Sequence, residues 1–332
     1  MPEHSKKPPY HEQIANKLIE QLKAGTAPWQ VPWESGVPRL PHNPFSGTRY
    51  KGSNSLWLAM QNRDDPRWMT YKQANSIDAQ VRKGQHGTIV QYWKTSEFVD
   101  KTDNNGIKIL GADGKPIKQH VKLDKPRVFS AVVFNAEQVD GLPELEVKTH
   151  PEWLRHERAE KILTNSGVLI HHDQYNNAYY CPATDDIHLP ARNQFATDDK
   201  YYATVLHELG HSTGHLNRLN RDMTGRFGDE SYAKEELRAE IGSLMLGDEL
   251  QIGHDFGQHA AYVDHWIKVL QDDPKEILRA SRDAEKINKF VLEYEYQNQT
   301  VQPKVQTSTD ESSSIQTSKQ LISQPQAQAE HD

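Results

Sequence analysis

The sequence predicts an α+β protein of two domains. The first is an N-terminal, mixed α+β domain over residues 10–142. The second is a C-terminal, mainly helical domain with a small sheet over residues 150–298. Three observations carry this reading. Helical periodicity gives way to β-branched and aromatic runs after Lys83-Gly84, and the chain is helical again from Lys200 onward. Gly141-Leu142-Pro143 and the charged stretch behind it break the chain between the two regimes. The charge is also split: residues 1–140 hold 20 Lys+Arg against 14 Asp+Glu, a net of +6, and the rest hold 19 against 32, a net of −13, which sum to −7.

Taken in order, Tyr10 to Ala24 reads as an amphipathic helix, with Ile14, Leu18 and Leu22 four apart and Gly25 as its stop. Residues 26–54 are too rich in Pro and Gly for helix or continuous sheet. Helices follow at Ser55–Asn62 and Tyr71–Val81, then strands at Gly87–Lys94 and Arg127–Phe134. The Lys/Asp-rich segment between those strands reads as a long hairpin or mobile loop. In the second domain a helix at Glu152–Ser166 precedes strands at Val168–His172, Ala178–Cys181 and Asp186–Leu189. Helices then run over Tyr201–Thr213, Tyr232–Leu246, Gly257–Gln271 and Pro274–Tyr296. Residues 1–9 and the Gln/Ser/Thr-rich 299–332 read as disordered.

The 332 residues are 35% apolar with a mean hydropathy of −0.84, and no run approaches the roughly 18 apolar residues of a membrane span. A membrane partner is therefore not expected. A lone cysteine, Cys181, excludes an internal disulfide and reads as a half-buried strand residue. With no apolar segment behind the basic N-terminus, a cytoplasmic protein is expected.

His207-Glu208-Leu209-Gly210-His211 is an HExxH motif behind the apolar run YYATVL. Positions i and i+4 share a helix face, so the two imidazoles can converge on one Zn²⁺, for which imidazole and carboxylate donors are suited. Glu208 points about 100° away, toward the water that the metal activates, and is placed as the general base. A third histidine is lacking: Gly214 stands where a longer motif would have it, but Asn217 replaces the last His, and His215 follows the glycine that ends the helix. The third ligand is therefore sought in KEELRAEIGSLML. Glu240 is favoured because Gly242 permits close helix approach, Glu236 is the alternative, and Glu235 reads as a solvated charge.

Trp29, Trp33, Phe45, Tyr50, Trp57, Trp68, Tyr71 and Trp93 are interleaved with Arg39, Arg49, Lys51, Arg67, Lys72, Arg82, Lys83 and Lys94. Rings with cations suit single-stranded nucleic acid, although any one tryptophan is better explained as core. The loop residues Trp29, Trp33, Tyr50 and Lys51 are the preferred contacts. Lys72 and the Arg82-Lys83-Gly84 turn join them as phosphate contacts.

Several blocks in one order resemble the ArdC-type antirestriction family: PWQVPW, NPFSGTRYKGSN, WMTYKQA and VRKGQHGTIVQYWK, then YYCPATDDIHLP, YYATVLHELGHSTGHLNRL and FGDESYAKEELRAEIGSLML. The resemblance spans about residues 10–295, and its N-terminal part is shared with some plasmid primases. It implies a protein of conjugative plasmids with a single-stranded-DNA-binding domain followed by a zincin-like metallopeptidase domain. Such a protein shields incoming DNA from host restriction endonucleases, whose subunits become candidate partners. It implies His207, His211 and a glutamate of EELRAE as metal ligands and Glu208 as the catalytic residue. Proteolysis does not follow from it. A metallopeptidase acting on a host regulator, and a binding protein with a structural metal, stay open.

Overall fold

The computed structural model describes residues 7–31, 35–226, 228–254 and 262–297. The N-terminal half holds α1 (Tyr10–Ala24), β1 (His42–Asn43), β2 (Thr48–Arg49), α2 (Ser53–Ala59), β3 (Trp68–Thr70), α3 (Tyr71–Asn75), β4 (Gln80–Val81), β5 (Thr88–Asp100), β6 (Lys118–Asn135) and β7 (Val139–Asp140). The second half holds α4 (Glu152–Ser166), β8 (Leu169–Gln174), β9 (Tyr179–Cys181), β10 (Asp186–Pro190), α5 (Asp198–Ser212), α6 (Glu230–Glu249), α7 (Val263–Asp272) and α8 (Glu276–Glu293). The architecture is thus mixed helix and sheet, changing character at the expected break.

Most elements lie within a few residues of expectation. The helix expected over Tyr71–Val81 is the main departure. It ends at Asn75, Asp78 takes φ 59°, and Gln80–Val81 instead pairs with Val139–Asp140. The strands around the Lys/Asp-rich segment continue into it. β5 and β6 stay paired from Thr88↔Val133 to Asp100↔Lys118, with one shift of register between Lys94 and Ser96. The result is one long hairpin, anchored at its base where β3 pairs with the end of β6. The start of the helix expected at Gly257–Gln271 lies outside the described residues, as do residues 1–6 of the expected disordered start and the whole expected tail.

One buried cluster is shared by the two halves, beside two smaller clusters within the N-terminal half, around Met69 and Val139 and around Trp68 and Val90. Ile14, Leu18, Ile19 and Leu22 of α1 share one buried cluster with Leu237, Ile241, Leu244 and Met245 of α6. Trp266 and Leu270 of α7 and Ile277, Ala280 and Ala284 of α8 complete it. Gly25 at φ 69° ends α1 and starts the Pro-rich loop, which the C-terminal end of α6 then holds down. The backbone N–H groups of Arg39 and Leu40 donate to Asp248 Oδ1 at 2.5 and 2.9 Å, and Ser35 Oγ donates to the Ile252 carbonyl. Arg49 meets Glu285 of α8 through two hydrogen bonds of 2.9 and 2.8 Å. A second cluster lies between α4, the β8–β10–β9 sheet and α5, and takes in Leu246 of α6 and Ile287 of α8. Among the described residues no helix is long and apolar enough to cross a membrane.

Candidate metal centre and nucleic-acid interface

Helix α5 begins with a side-chain cap, Thr197 accepting from the Lys200 N–H, and carries Asp198 and Asp199 in its first turn, where acids suit the helix dipole. Its apolar residues Val205, Leu206 and Leu209 enter the second cluster, and the remaining face presents His207, Glu208 and His211 to a cleft. All three are over nine-tenths buried. The two imidazoles approach through Nε2 atoms 3.1 Å apart. Nitrogens held at about 2.0–2.1 Å by one tetrahedral ion would stand roughly 3.3 Å apart, so the pair already has metal-ligand spacing.

Helix α6 returns a carboxylate to the same point. Glu236 Oε1 lies 3.5 Å from His211 Nε2, and its Oε2 lies 3.9 Å from His207 Nε2. His207, His211 and Glu236 are thus one buried group whose ligand atoms all fall within 4.8 Å of one another. This corrects the preference for Glu240. Glu240 is fully buried but lies behind His207, with Oε2 3.7 Å from Nδ1, and its Oε1 accepts from His254 Nε2 at 2.9 Å. Gly242, which suggested that Glu240 came close to the metal, serves a different contact. A Cβ there would stand 3.3 Å from Ile287 of α8, so the glycine admits α8 and not α5.

The reading of Glu235 as a solvated charge is also corrected. It is buried, its Oε1 lies 3.3 Å from His211 Nδ1, and Arg221 clamps both its oxygens, at 2.6 and 2.9 Å. Each histidine therefore has a carboxylate behind its far nitrogen, Glu240 for His207 and Glu235 for His211. Such partners fix the ring and raise the basicity of the nitrogen that faces the metal. The electrostatics agree. Burial alone would lower the His211 pKa, yet Glu236, Glu235 and Glu208 hold it well above the usual range. Burial would raise Glu235, but Arg221 and His211 hold it below the ordinary carboxylate value.

The cleft encloses about 190 Å³. On one side lies β9, an edge strand paired only with β10 in its sheet, contributing Tyr179 and Tyr180, with Pro182 just beyond it. On the other side Tyr232 and Tyr262 bring their hydroxyls within 3.2 Å of each other. An edge strand beside buried acid–base groups suits an extended peptide, and the two phenols can donate to a developing oxyanion. The motif gave no signal for Arg221, His254 or the tyrosine pair: Arg221, His254 and Tyr262 lie outside α5 and α6, and Tyr232 sits on α6 one turn before Glu236. Cys181 is half-buried at the end of β9, as its strand reading requires.

The expected nucleic-acid contacts do not form one surface. Trp29 is 0% exposed and meets Trp266 edge-on at 6.0 Å, so it is a core residue. Its loop is wrapped against α6 and α7, which no local pattern announced. Trp33 lies outside the described residues. Tyr50 is half-buried and spends its hydroxyl on the Trp68 carbonyl at 3.1 Å. Lys51, Lys72, Arg82 and Lys83 are exposed, though Arg82 is held by Asp140 at 3.1 Å. Phe45 and Tyr71 are exposed too, but the larger group of exposed rings in this half lies on the β5–β6 hairpin: Tyr92, Trp93, Phe98 and Phe129. The polar stretch around Phe98 hid it, because its strand continues without a β-branched run.

Helix α5 with its histidine pair, α6 returning a carboxylate and an edge strand beside the cleft define a metallopeptidase-type fold. Residues 157–283 match the family described as zincin-like metallopeptidase, and residues 8–134 match the N-terminal domain of anti-restriction factor ArdC. The crystal structure of the antirestriction ArdC protein from plasmid R388, metal-free, superposes with a TM-score of 0.66 at 33% identity, covering 86% of this chain and 98% of that one. Its Mn(II)-bound form gives a TM-score of 0.64 at 32% identity, covering 87% and 98%. This chain belongs to the ArdC family of antirestriction proteins. It is also 60% identical over 291 residues to a DNA primase TraC of Escherichia coli, an alignment that takes in 87% of this chain. The chain spans about a fifth of that relative's length (20%).

Proposed function

We propose that this protein binds single-stranded DNA and protects incoming mobile-element DNA from host restriction enzymes in the recipient cytoplasm, using a divalent-metal site of peptidase type. The observation that carries the metal half of this reading is the paired support behind the histidines. A helix that merely packed its imidazoles would not need a buried carboxylate behind each Nδ1. His207, His211 and Glu236 would hold the ion. Zinc is the favoured ion for two imidazoles and a carboxylate, and manganese, the ion in the R388 relative, is the competitor. When bound, the ion supplies Lewis acidity and lowers the pKa of a coordinated water. In such a site Glu208 would serve as the proton acceptor and pass the proton to a leaving amine, and Tyr232 and Tyr262 would donate to a substrate carbonyl oxygen.

The decisive variant is Glu208→Gln, which keeps the shape and removes the base. If hydrolysis underlies protection, metal content stays at the wild-type level while protection of transferred DNA in a restricting recipient disappears. If protection survives intact with the metal bound, the site works by binding, and shielding of the DNA or capture of a restriction subunit remains as the mechanism. A second reading, a peptidase that acts on a host regulator without any DNA role, draws support from the edge strand β9 along the cleft. It requires that the full chain bind no single-stranded oligonucleotide.

A further inference from the structure

The β5–β6 hairpin leaves four large rings in water, more than any other part of the N-terminal half among the described residues. Phe98 is 70% exposed, Trp93 59% and Tyr92 52%, whereas Trp29 and Trp68 are buried. Two strands alone are marginally stable and offer no core for these residues, so exposed rings along them are more naturally read as a contact surface. Their placement is ordered. In register, Tyr92 faces Phe129, Lys94 faces Arg127, Ser96 faces Lys122, and Phe98 faces His120. By the two-residue alternation of β5, Tyr92 lies on the face that begins at the buried Val90; beyond the shift of register Ser96 and Phe98 share a face with His120, whose Nε2 stands 2.7 Å from Ser96 Oγ. Tyr92 and Phe129 stack at 6.4 Å with 21° between planes, and Phe98 and His120 lie 5.1 Å apart.

The hairpin therefore carries two ring pairs about 20 Å apart along β5, six residues at about 3.3 Å each, with a band of cations between them. Lys94 and Arg127 share a single acid, Glu97, at 2.9 and 3.4 Å. Lys122, and Lys125 beside it in the irregular stretch, have no ion pair among the described residues. Over residues 88–100 and 118–135 there are five Lys+Arg and three Asp+Glu, a net of +2 in a chain of net −7. Rings that alternate with surplus cations complement a polymer of bases and phosphates: each unpaired base offers a π-face and each linkage a negative charge. Duplex DNA hides those faces.

We propose that this hairpin is the platform for single-stranded DNA, with the Tyr92–Phe129 and Phe98–His120 pairs stacking on bases and Lys94, Lys122 and Arg127 following the backbone. The assignment rests on the DNA-binding reading above and moves it away from the Trp29 loop. The test is a fluorescence-polarisation titration of the full chain with a labelled oligo-dT strand and with a duplex at fixed salt. It compares wild type with Tyr92→Ala, Phe98→Ala, Phe98→Trp and Lys122→Ala, with melting temperature and metal content as controls.

The expected result is a preference for the strand and a loss of about 5- to 100-fold for each alanine at a ring. Phe98→Trp should keep the affinity and show indole fluorescence quenched by the strand. Lys122→Ala should lower the salt slope by about one. Wild-type affinity in both ring variants would overturn the hairpin assignment while leaving DNA binding standing. Absence of strand binding by the wild type would overturn the DNA reading and the platform with it. A ring variant that loses self-association or capture of a protein, with unchanged DNA affinity, would assign the face to that partner and overturn the proposal.

Discussion

Among residues, the choice between Glu236 and Glu240 shows what the motif can and cannot say. Both stand on one face of α6, one turn apart, and only the depth at which α6 crosses α5 decides which meets the two Nε2 atoms. That depth is set by long-range contacts such as Ile287 against Gly242, so no local pattern announces it. The convergence of His207 and His211 is legible because residues four apart on a single helix share a face. The two glutamates should separate experimentally. Glu236→Ala is expected to leave the protein unable to retain an ion through dialysis. Glu240→Gln, which keeps an acceptor for His254, should weaken affinity by about 10- to 100-fold. Isothermal titration with Zn²⁺ checks both, and equal losses would return Glu240 to the ligand set.

Asp248 carries a second prediction at this scale. Burial pushes its carboxyl up to about 6, against the N–H bonds from Arg39 and Leu40, which act in the opposite direction. In an unfolded chain the group titrates near 3.9, so between about pH 4 and 6 the folded state binds more protons. Its contribution to stability therefore falls as pH rises through that window and is constant above it. Asp248→Asn keeps the acceptor atom for both N–H groups and removes the charge. The variant should lose this pH dependence and gain up to about 3 kcal/mol over wild type at pH 8. Urea melts of the two proteins at pH 4.5 and pH 8 would measure the difference, and an equal gap at both pH values would refute the assignment.

Among elements, sequence reading succeeded where a segment repeats one pattern and failed where distant partners decide. Helices α1, α4, α5, α6 and α8 carry continuous apolar stripes and were found to within a few residues. The hairpin strands were found only over their apolar parts, 87–94 and 127–134. Beyond them Ser96, Glu97, Gln119 and Lys122 carry no β signal, and the strands persist because the ladder they extend is already formed. The helix expected to reach Val81 stops early for the converse reason: Gln80 and Val81 pair with Val139 and Asp140, sixty residues away in sequence. Trp29 belongs to the same lesson, since its loop looks exposed by composition and is buried by α6 and α7.

For the molecule as a whole, the expected domain boundary marks a change of architecture without marking a separable unit. Helix α1 has its apolar face against α6, α7 and α8, and the loop behind it is pinned by Asp248. A fragment of residues 1–145 would expose Ile14, Leu18, Leu22 and Trp29 to water, with about 25 cal/mol lost per Å² of apolar surface left uncovered. It is expected to show no cooperative thermal transition, or to aggregate, while residues 1–297 melt as one unit. A sharp, reversible melt of the short fragment would show that the N-terminal half has a sufficient core of its own.

The shared core also bears on descent. A gene that acquires this unit can add sequence before or after it, but a cut between the halves would divide the cluster that α1 shares with α6, α7 and α8 and leave apolar surface uncovered on both sides. The alignment with the E. coli primase takes in 291 residues, 87% of this chain and 20% of that one, so the unit stands there beside a much longer stretch of other sequence. Recombination is then expected to change what surrounds this unit more readily than to break it between α1 and α6.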